Sequence, residues 1–406
     1  MSNLFQSINS GLAELKNFYQ GPIVDQFNEE TPIYRGAELG KEAWSGYQVA
    51  RPLKVRRNQG IGAASDGGNL PAIGRQTTIQ ALIQAKFNYL RFGVTGPMIK
   101  ASQSDIGSFV RAASYELQEG YKDLQSDANR QMSWDGSGTL AKVNTAAVAS
   151  TTLVVKGRET GAPALQFLDV GLVFDIYNGS TLVQSGVEIT AYSVSSGPSS
   201  TTATLTVNTA VTASADYVLV RSGSYGNEIQ GLLTQLDNAT TTVFNIDRAS
   251  YIQTQGNVND LSGGQLTLDA CQSLWNSCLQ RGAGKISAIY SDFDSLRFYQ
   301  KLLTPDKRYV NTMEGDGGFA SKGKYYLEFN GSPWVPDKDC PKRIFMLPAD
   351  VVKKYVLAEM EFADETGSMY IAQVSADQLE TRIRFFANLF NEKAAATGAL
   401  TNYISP

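Results

Sequence analysis

Apolar side chains recur at intervals of three and four between Ser104 and Gln131: Ile106, Phe109, Val110, Ala113, Leu117, Tyr121, Leu124 and Ala128. That spacing sets all of them on one stripe of an α-helix. Ser104 suits an N-cap, Asp105 complements the helix dipole, and Gly136 and Gly138 close the far end. A helix of this span is roughly 40 Å long, and strand-like sequence flanks it on both sides. It reads as a beam whose stripe is core, with Glu116, Glu119, Lys122 and Asp123 facing solvent or a neighbour.

Other periods frame the beam. Leu4, Phe5, Ile8, Leu12, Leu15, Phe18 and Tyr19 predict a short amphipathic helix over 2–19, ended by Gly21-Pro22. It docks either on its own domain or on a neighbouring subunit. Residues 22–45 show neither period and read as an extended arm. Tyr47, Val49, Leu53 and Val55 then alternate with polar positions, and Ile79, Ala81, Ile83, Ala85, Phe87 and Tyr89 alternate on a return run. Between them, Asn58 to Asn69 carries Gly60, Gly62, Gly67 and Gly68 and has the composition of a flexible loop. The return run could span roughly 45 Å. A two-stranded ribbon of that length is marginal alone in water and needs a support, for which a partner subunit is the natural candidate.

After Trp134-Asp135-Gly136 the character changes. Residues 139–222 are rich in Ser, Thr, Val and Gly and hold five short strand-like runs, at 153–155, 170–177, 186–192, 203–207 and 217–220. They predict a small barrel or sandwich inserted as a module. Beyond 223, helical spacing over Leu266–Leu279 and Asp292–Leu303 mixes with strand-like runs at 286–290, 325–329, 343–347, 369–374 and 382–389, followed by a polar, frayed tail after Asn391. Strands and helices intermingle without βαβ repetition, so the fold class is α+β.

Composition narrows the chemistry. A chain of 406 residues suits two or three domains, and a net charge of −4 argues against a large polyanion-binding surface. No basic n-region leads into an apolar run near Met1, and no run reaches the 18 or so apolar residues of a membrane span. A soluble, cytoplasmic chain is expected. Histidine is absent, which excludes Ser-His-Asp and Cys-His nucleophiles, His-ligated zinc and imidazole acid–base chemistry. Cys271, Cys278 and Cys340 have no metal-type spacing and read as reduced and structural. No catalytic, cofactor or metal site is predicted.

The remaining motifs carry little. Gly318 to Tyr325 nearly matches a P-loop, but Tyr325 stands where a Ser or Thr hydroxyl is required, and no apolar strand precedes it. Glu359, Glu361, Asp364 and Glu365 read as a solvated loop. Lys54, Arg56 and Arg57 form one compact basic patch beside the ribbon. Edge protection or pairing with an adjoining subunit fits it better than nucleic-acid binding, because no aromatic residues interleave with it.

The order of parts resembles the major capsid proteins of tailed double-stranded DNA bacteriophages, the Hong Kong 97-type fold. Ala128-Asn129-Arg130-Gln131-Met132-Ser133-Trp134-Asp135-Gly136-Ser137-Gly138 is the local cue that goes with it. The resemblance implies an N-arm over 1–45, an E-loop ribbon over 46–96, the spine helix of the P domain over 97–138, an A domain over 223–335, and a return to P- and A-domain strands over 336–406; the β-module over 139–222 departs from the minimal fold and is read as a domain inserted at the P-domain edge. It implies hexamers and pentamers of this chain in an icosahedral shell around phage DNA held without sequence-specific binding, made in the host bacterial cytoplasm and located in the virion. A separate scaffolding protein, a portal and possible decoration proteins are the implied partners; no membrane and no enzyme activity are. Inter-subunit contacts are expected from Lys54, Arg56, Arg57, Gly60, Gly62, Gly67, Gly68, Phe5, Leu12 and Leu15. Lys54 lies in the loop that some relatives cross-link, but no matching Asn with a nearby acid is assignable. An encapsulin-like compartment, a tail-tube or adhesin protein, and a carboxylate enzyme are the alternatives, in that order.

Overall fold

The computed structural model describes residues 30–40, 44, 46–95, 97, 106–194, 197, 199–239, 241–303, 327–363, 371–372 and 377–406. The helix predicted over 2–19, including Phe5, Leu12 and Leu15, lies outside them, as do the glycine-rich 318–325 stretch and Asp364-Glu365.

The beam is present as a 28-residue helix, Ile106–Ser133. It lies against a five-stranded sheet in which Gln378–Asn391 is central. That strand pairs antiparallel with Val352–Phe362, Lys86–Thr95 and Ile371–Ala372, and Glu38–Leu39 adds in parallel to Val352–Phe362. Leu124, Ala128 and Met132 of the helix are buried against Ile383, Phe385 and Ala387 of the sheet. The side chains of Ile106, Phe109, Val110, Ala113 and Leu117 lie outside the described part of the structure. Tyr121, predicted as core, is instead 39% exposed. One position earlier Leu90 of the sheet sits over Gly120, and Tyr121 lies at the border of the buried stripe. The helix then ends as its glycines predict, with Gly136 and Gly138 at φ of 74° and 81°.

Three readings are corrected. The return run is not one strand: Thr77–Gln84 pairs with Gln48–Arg56, the chain breaks step at Ala85, and Lys86–Thr95 joins the five-stranded sheet. Alternation continues through the break, so the period alone could not reveal a change of sheet. The ribbon is therefore shorter than predicted, and its base is supported within its own chain. Val49, Ala81 and Ile83 are buried with Val243, Phe244, Ile246, Tyr355 and Phe390. Second, the segment after Asn391 is not a frayed tail, because Gly398–Thr401 is an inner strand of a six-stranded mixed sheet. Its small residues fit the packing, since a Cβ on Gly398 would stand 2.7 Å from Cys278 Sγ. Third, Glu359 and Glu361 sit on the strand Val352–Phe362 and not in a loop.

The arm contains a short helix, Pro32–Gly36, whose Ile33 is buried against the beam's end of the core. The 139–222 module is a closed antiparallel barrel of six strands, in the order Val218–Arg221, Thr139–Val143, Ala147–Gly157, Thr202–Ala213, Thr181–Ser193 and Val173–Asn178. Its own core includes Leu153, Phe174, Ile176, Ile189 and Leu205, all fully buried. Helices Leu268–Gln280 and Phe293–Leu303 belong to the six-stranded sheet, and Thr267 caps the first by accepting from the Ala270 amide at 3.1 Å. Cys271, Cys278 and Cys340 are free and buried, and burial pushes the first two up to about 12 and about 11. They are unreactive packing residues.

Candidate assembly surfaces

The ribbon presents two different halves. Near the body, Val49 and Val55 face inward while Lys54 and Arg56 point outward. Beyond Arg56 the chain is exposed, and Ile61, Leu70 and Ile73 are 86%, 87% and 102% exposed. Large apolar side chains held in water on one loop make this tip a candidate contact surface. The basic residues Lys54, Arg56, Arg57 and Arg75 surround the same tip, and none of the ion pairs among the described residues involves them.

The tip glycines serve a defined backbone shape. Gly67, at φ of 73°, makes the turn in which the Gly68 amide donates to the Ser65 carbonyl at 2.9 Å. A Cβ on Gly60 would stand 2.7 Å from the Gly74 nitrogen, and one on Gly62 would stand 2.9 Å from Pro71 Cγ. The two arms of the loop thus run side by side at backbone distance.

A buried polar hub at the C-terminal end of the beam holds the five-stranded sheet, the beam and the barrel together. Arg130 donates to Glu228 at 2.5 Å and to Asp127 at 3.0 Å. Burial opposes the charge on Arg130, but the Asp127 and Glu228 carboxylates outweigh it and raise its pKa. Burial likewise disfavours the Asp127 carboxylate, and Arg130 and Arg221 overcome this to hold it well below the usual range. Gln131 donates to Asn88 and Asp127 and accepts from the Ile229 amide at 3.1 Å. Asn129 accepts from the Tyr34 amide at 2.9 Å and donates to Asp337 at 3.0 Å and to Asp339 at 2.8 Å.

The barrel is fixed to this hub. Arg158 donates to Asp135 at 2.5 Å and to the Thr139 carbonyl at 2.6 Å, with its guanidinium 4.1 Å from the centre of the Trp134 ring. Glu159 accepts from the Lys342 amide at 2.9 Å, and Gln166 donates to the Lys338 carbonyl at 2.8 Å. Among the described residues, no group of three or more Cys, Asp or Glu side chains is placed to hold a metal ion. No described helix is long and apolar enough to cross a membrane.

The Ala128–Gly138 cue thus coincides with the hub. Sequence reasoning missed Glu228, Arg158 and Asp337, because their partners are distant in the chain and no spacing rule reaches them.

No protein-family model matches the chain, and no curated protein does. Solved structures do match over nearly the whole length. The capsid asymmetric unit of cyanophage A-1(L) aligns with a TM-score of 0.59 at 14% identity, covering 97% of this chain and 99% of that one. The capsid of a native GTA particle aligns with a TM-score of 0.53 at 8% identity, covering 99% and 100%. The fold is that of a phage capsid subunit. A holo-SrpI encapsulin complex from Synechococcus elongatus aligns with a TM-score of 0.47 at 9% identity. The capsid fold accommodates the beam, the ribbon and the barrel in a single alignment spanning both chains.

Proposed function

We propose that this chain is a major capsid protein that assembles with copies of itself into an icosahedral shell around phage DNA. The observation that carries the reading is the exposed tip: Ile61, Leu70 and Ile73 project from a capsid-fold subunit into water. Burying each against another subunit would contribute about 1.5–3 kcal/mol. In this reading the ribbon over 48–84 is the E-loop, the beam over 97–138 belongs to the P domain, and residues 223–335 form the A domain. Lys54, Arg56 and Arg57 pair with acidic groups of a neighbour. Phe5, Leu12 and Leu15 of the N-arm contact a neighbour too. Hexamers and pentamers, a separate scaffolding protein, a portal and possible decoration proteins complete the assembly.

Electron microscopy of the protein expressed with and without its neighbouring genes tests the reading. Icosahedral particles, or their hexamer and pentamer pieces, are the expected result. A monomer that stays monomeric at high concentration under all these conditions would overturn it. Deleting Gly60 to Gly68 should leave the subunit folded and abolish particles. The enclosed material separates two kinds of shell, nucleic acid supporting a capsid and protein cargo an encapsulin-like compartment.

A further inference from the structure

The ribbon is a lever. Its loop beyond Arg56 is exposed, its two paired strands pack on the body through one face that includes Val49, Leu53, Ile79, Ala81 and Ile83, and the return strand leaves for another sheet at Ala85. Two polar contacts add to that packing. The first is a small hairpin, Thr242–Val243 paired with Ile246–Asp247, lying under the ribbon. Its turn residues Phe244 and Asn245 have φ of 50° and 63°. Asn tolerates this left-handed region, but a bulky aromatic residue is rarely found there, and an outlier held by its surroundings is a pointer to function. Phe244 uses that conformation twice. Its carbonyl accepts from the Leu82 amide of the ribbon at 2.9 Å, and its ring packs edge-on against Phe390 at 5.1 Å. A glycine in its place would relieve the backbone and lose the ring.

The second contact is Glu392, just past the central strand. Its carboxylate lies 3.1 Å from Arg51 of the ribbon and 2.9 Å from Lys353, and it accepts from the Tyr355 hydroxyl at 2.6 Å. Lys353 and Tyr355 both belong to the five-stranded sheet, so the carboxylate ties ribbon to body.

We propose that the Phe244 turn and the Arg51–Glu392 pair are a two-point seat that sets the angle of the ribbon to the body, and thereby the curvature at which copies of this chain join. The link to curvature rests on the shell reading above; the link to ribbon angle does not. Because both points lie near the base, a small displacement there becomes a large one at Ile61 and Leu70.

The test uses the full chain. All three native cysteines are buried, so spin labels can be directed to introduced cysteines at Ser65 on the tip and Lys285 on the body. Pulsed electron–electron distance measurement on the unassembled subunit should give one narrow distribution. Phe244→Ala should broaden or shift it, while Asn245→Gly, which keeps the ring, should leave it unchanged. Arg51→Gln, at a partly exposed site outside the buried apolar clusters, should broaden it as well and carries the test if Phe244→Ala fails to fold. Distributions identical to the parent in both Phe244→Ala and Arg51→Gln would overturn the seat, whether or not particles form. In assembled material the same variants should widen the spread of particle diameters. Unchanged diameters beside altered subunit distances would overturn the link to curvature and leave the seat standing.

Discussion

Arg130 Nη2 lies 2.5 Å from Glu228 Oε1, and both side chains are only 4% exposed. The pair joins the beam to the segment that leaves the barrel. Removing Glu228 takes away one of the two carboxylates that offset the buried Arg130 charge, and breaking a buried pair typically costs about 3–5 kcal/mol. Glu228→Ala should therefore lower the free energy of unfolding by about 3 kcal/mol, read by urea titration. A single-variant loss below about 1 kcal/mol would show that solvent reaches the pair.

Asp337 carries a pH signature. Burial, and then the adjoining Asp339 carboxylate, raise its pKa from the ordinary 3.8 to about 6. A carboxyl with a raised pKa in the folded state favours the fold while protonated, so its contribution is full below about pH 4 and is lost as pH rises through about 6. Asp337→Asn is neutral throughout and keeps an acceptor for Asn129. It should be more stable than the parent at pH 7 by up to about 3 kcal/mol, with the difference vanishing near pH 4. A difference independent of pH in thermal melts would contradict this.

Gly231 marks where two helices approach end to end. Its φ of −82° suits any residue, so only space matters. A Cβ there would meet the carbonyl oxygens of Gln131, Met132 and Trp134 at the end of the beam. Gly231→Ala should destabilise the chain by about 1–3 kcal/mol. Gly284→Ala is the control, since a Cβ there meets nothing within 4 Å, and it should change stability by less than about 0.5 kcal/mol.

The tip makes the opposite prediction. Replacing Ile61, Leu70 and Ile73 together by Ser removes side chains that touch little of their own chain. Subunit melting should move by less than about 1 °C, in line with surface substitutions. Self-association should weaken by more than about a hundredfold, the loss of several kcal/mol of burial. Sedimentation velocity at matched concentrations reads both the monomer and any assembly. Unimpaired assembly would remove the tip from the contact.

Local chemistry sufficed for much of the architecture. The beam's stripe, its glycine stop and the barrel's alternation follow from side-chain period and turn residues, which act over one or two turns of chain. Leu124 and Ala128 are buried as that period requires, and Gly136 turns the chain as its lack of a Cβ permits. What escaped the sequence is what depends on neighbours brought from far away. The break at Ala85 keeps the alternation, Gly398–Thr401 looks like a tail because its small residues answer to Cys278 and Leu274, and Glu392 meets Arg51 only after both sheets have formed.

Sequence by itself thus determined that there is a beam, a ribbon with a glycine-rich tip, and a separate β-module. Only the tertiary structure decided how they are joined. Arg130 finds Glu228, Arg158 finds Asp135, and Phe244 reaches Leu82 across separations that no local period encodes. The physical reason is that hydrogen bonds and ion pairs reward proximity in space. A linear pattern records only the faces that water and the chain's own geometry impose.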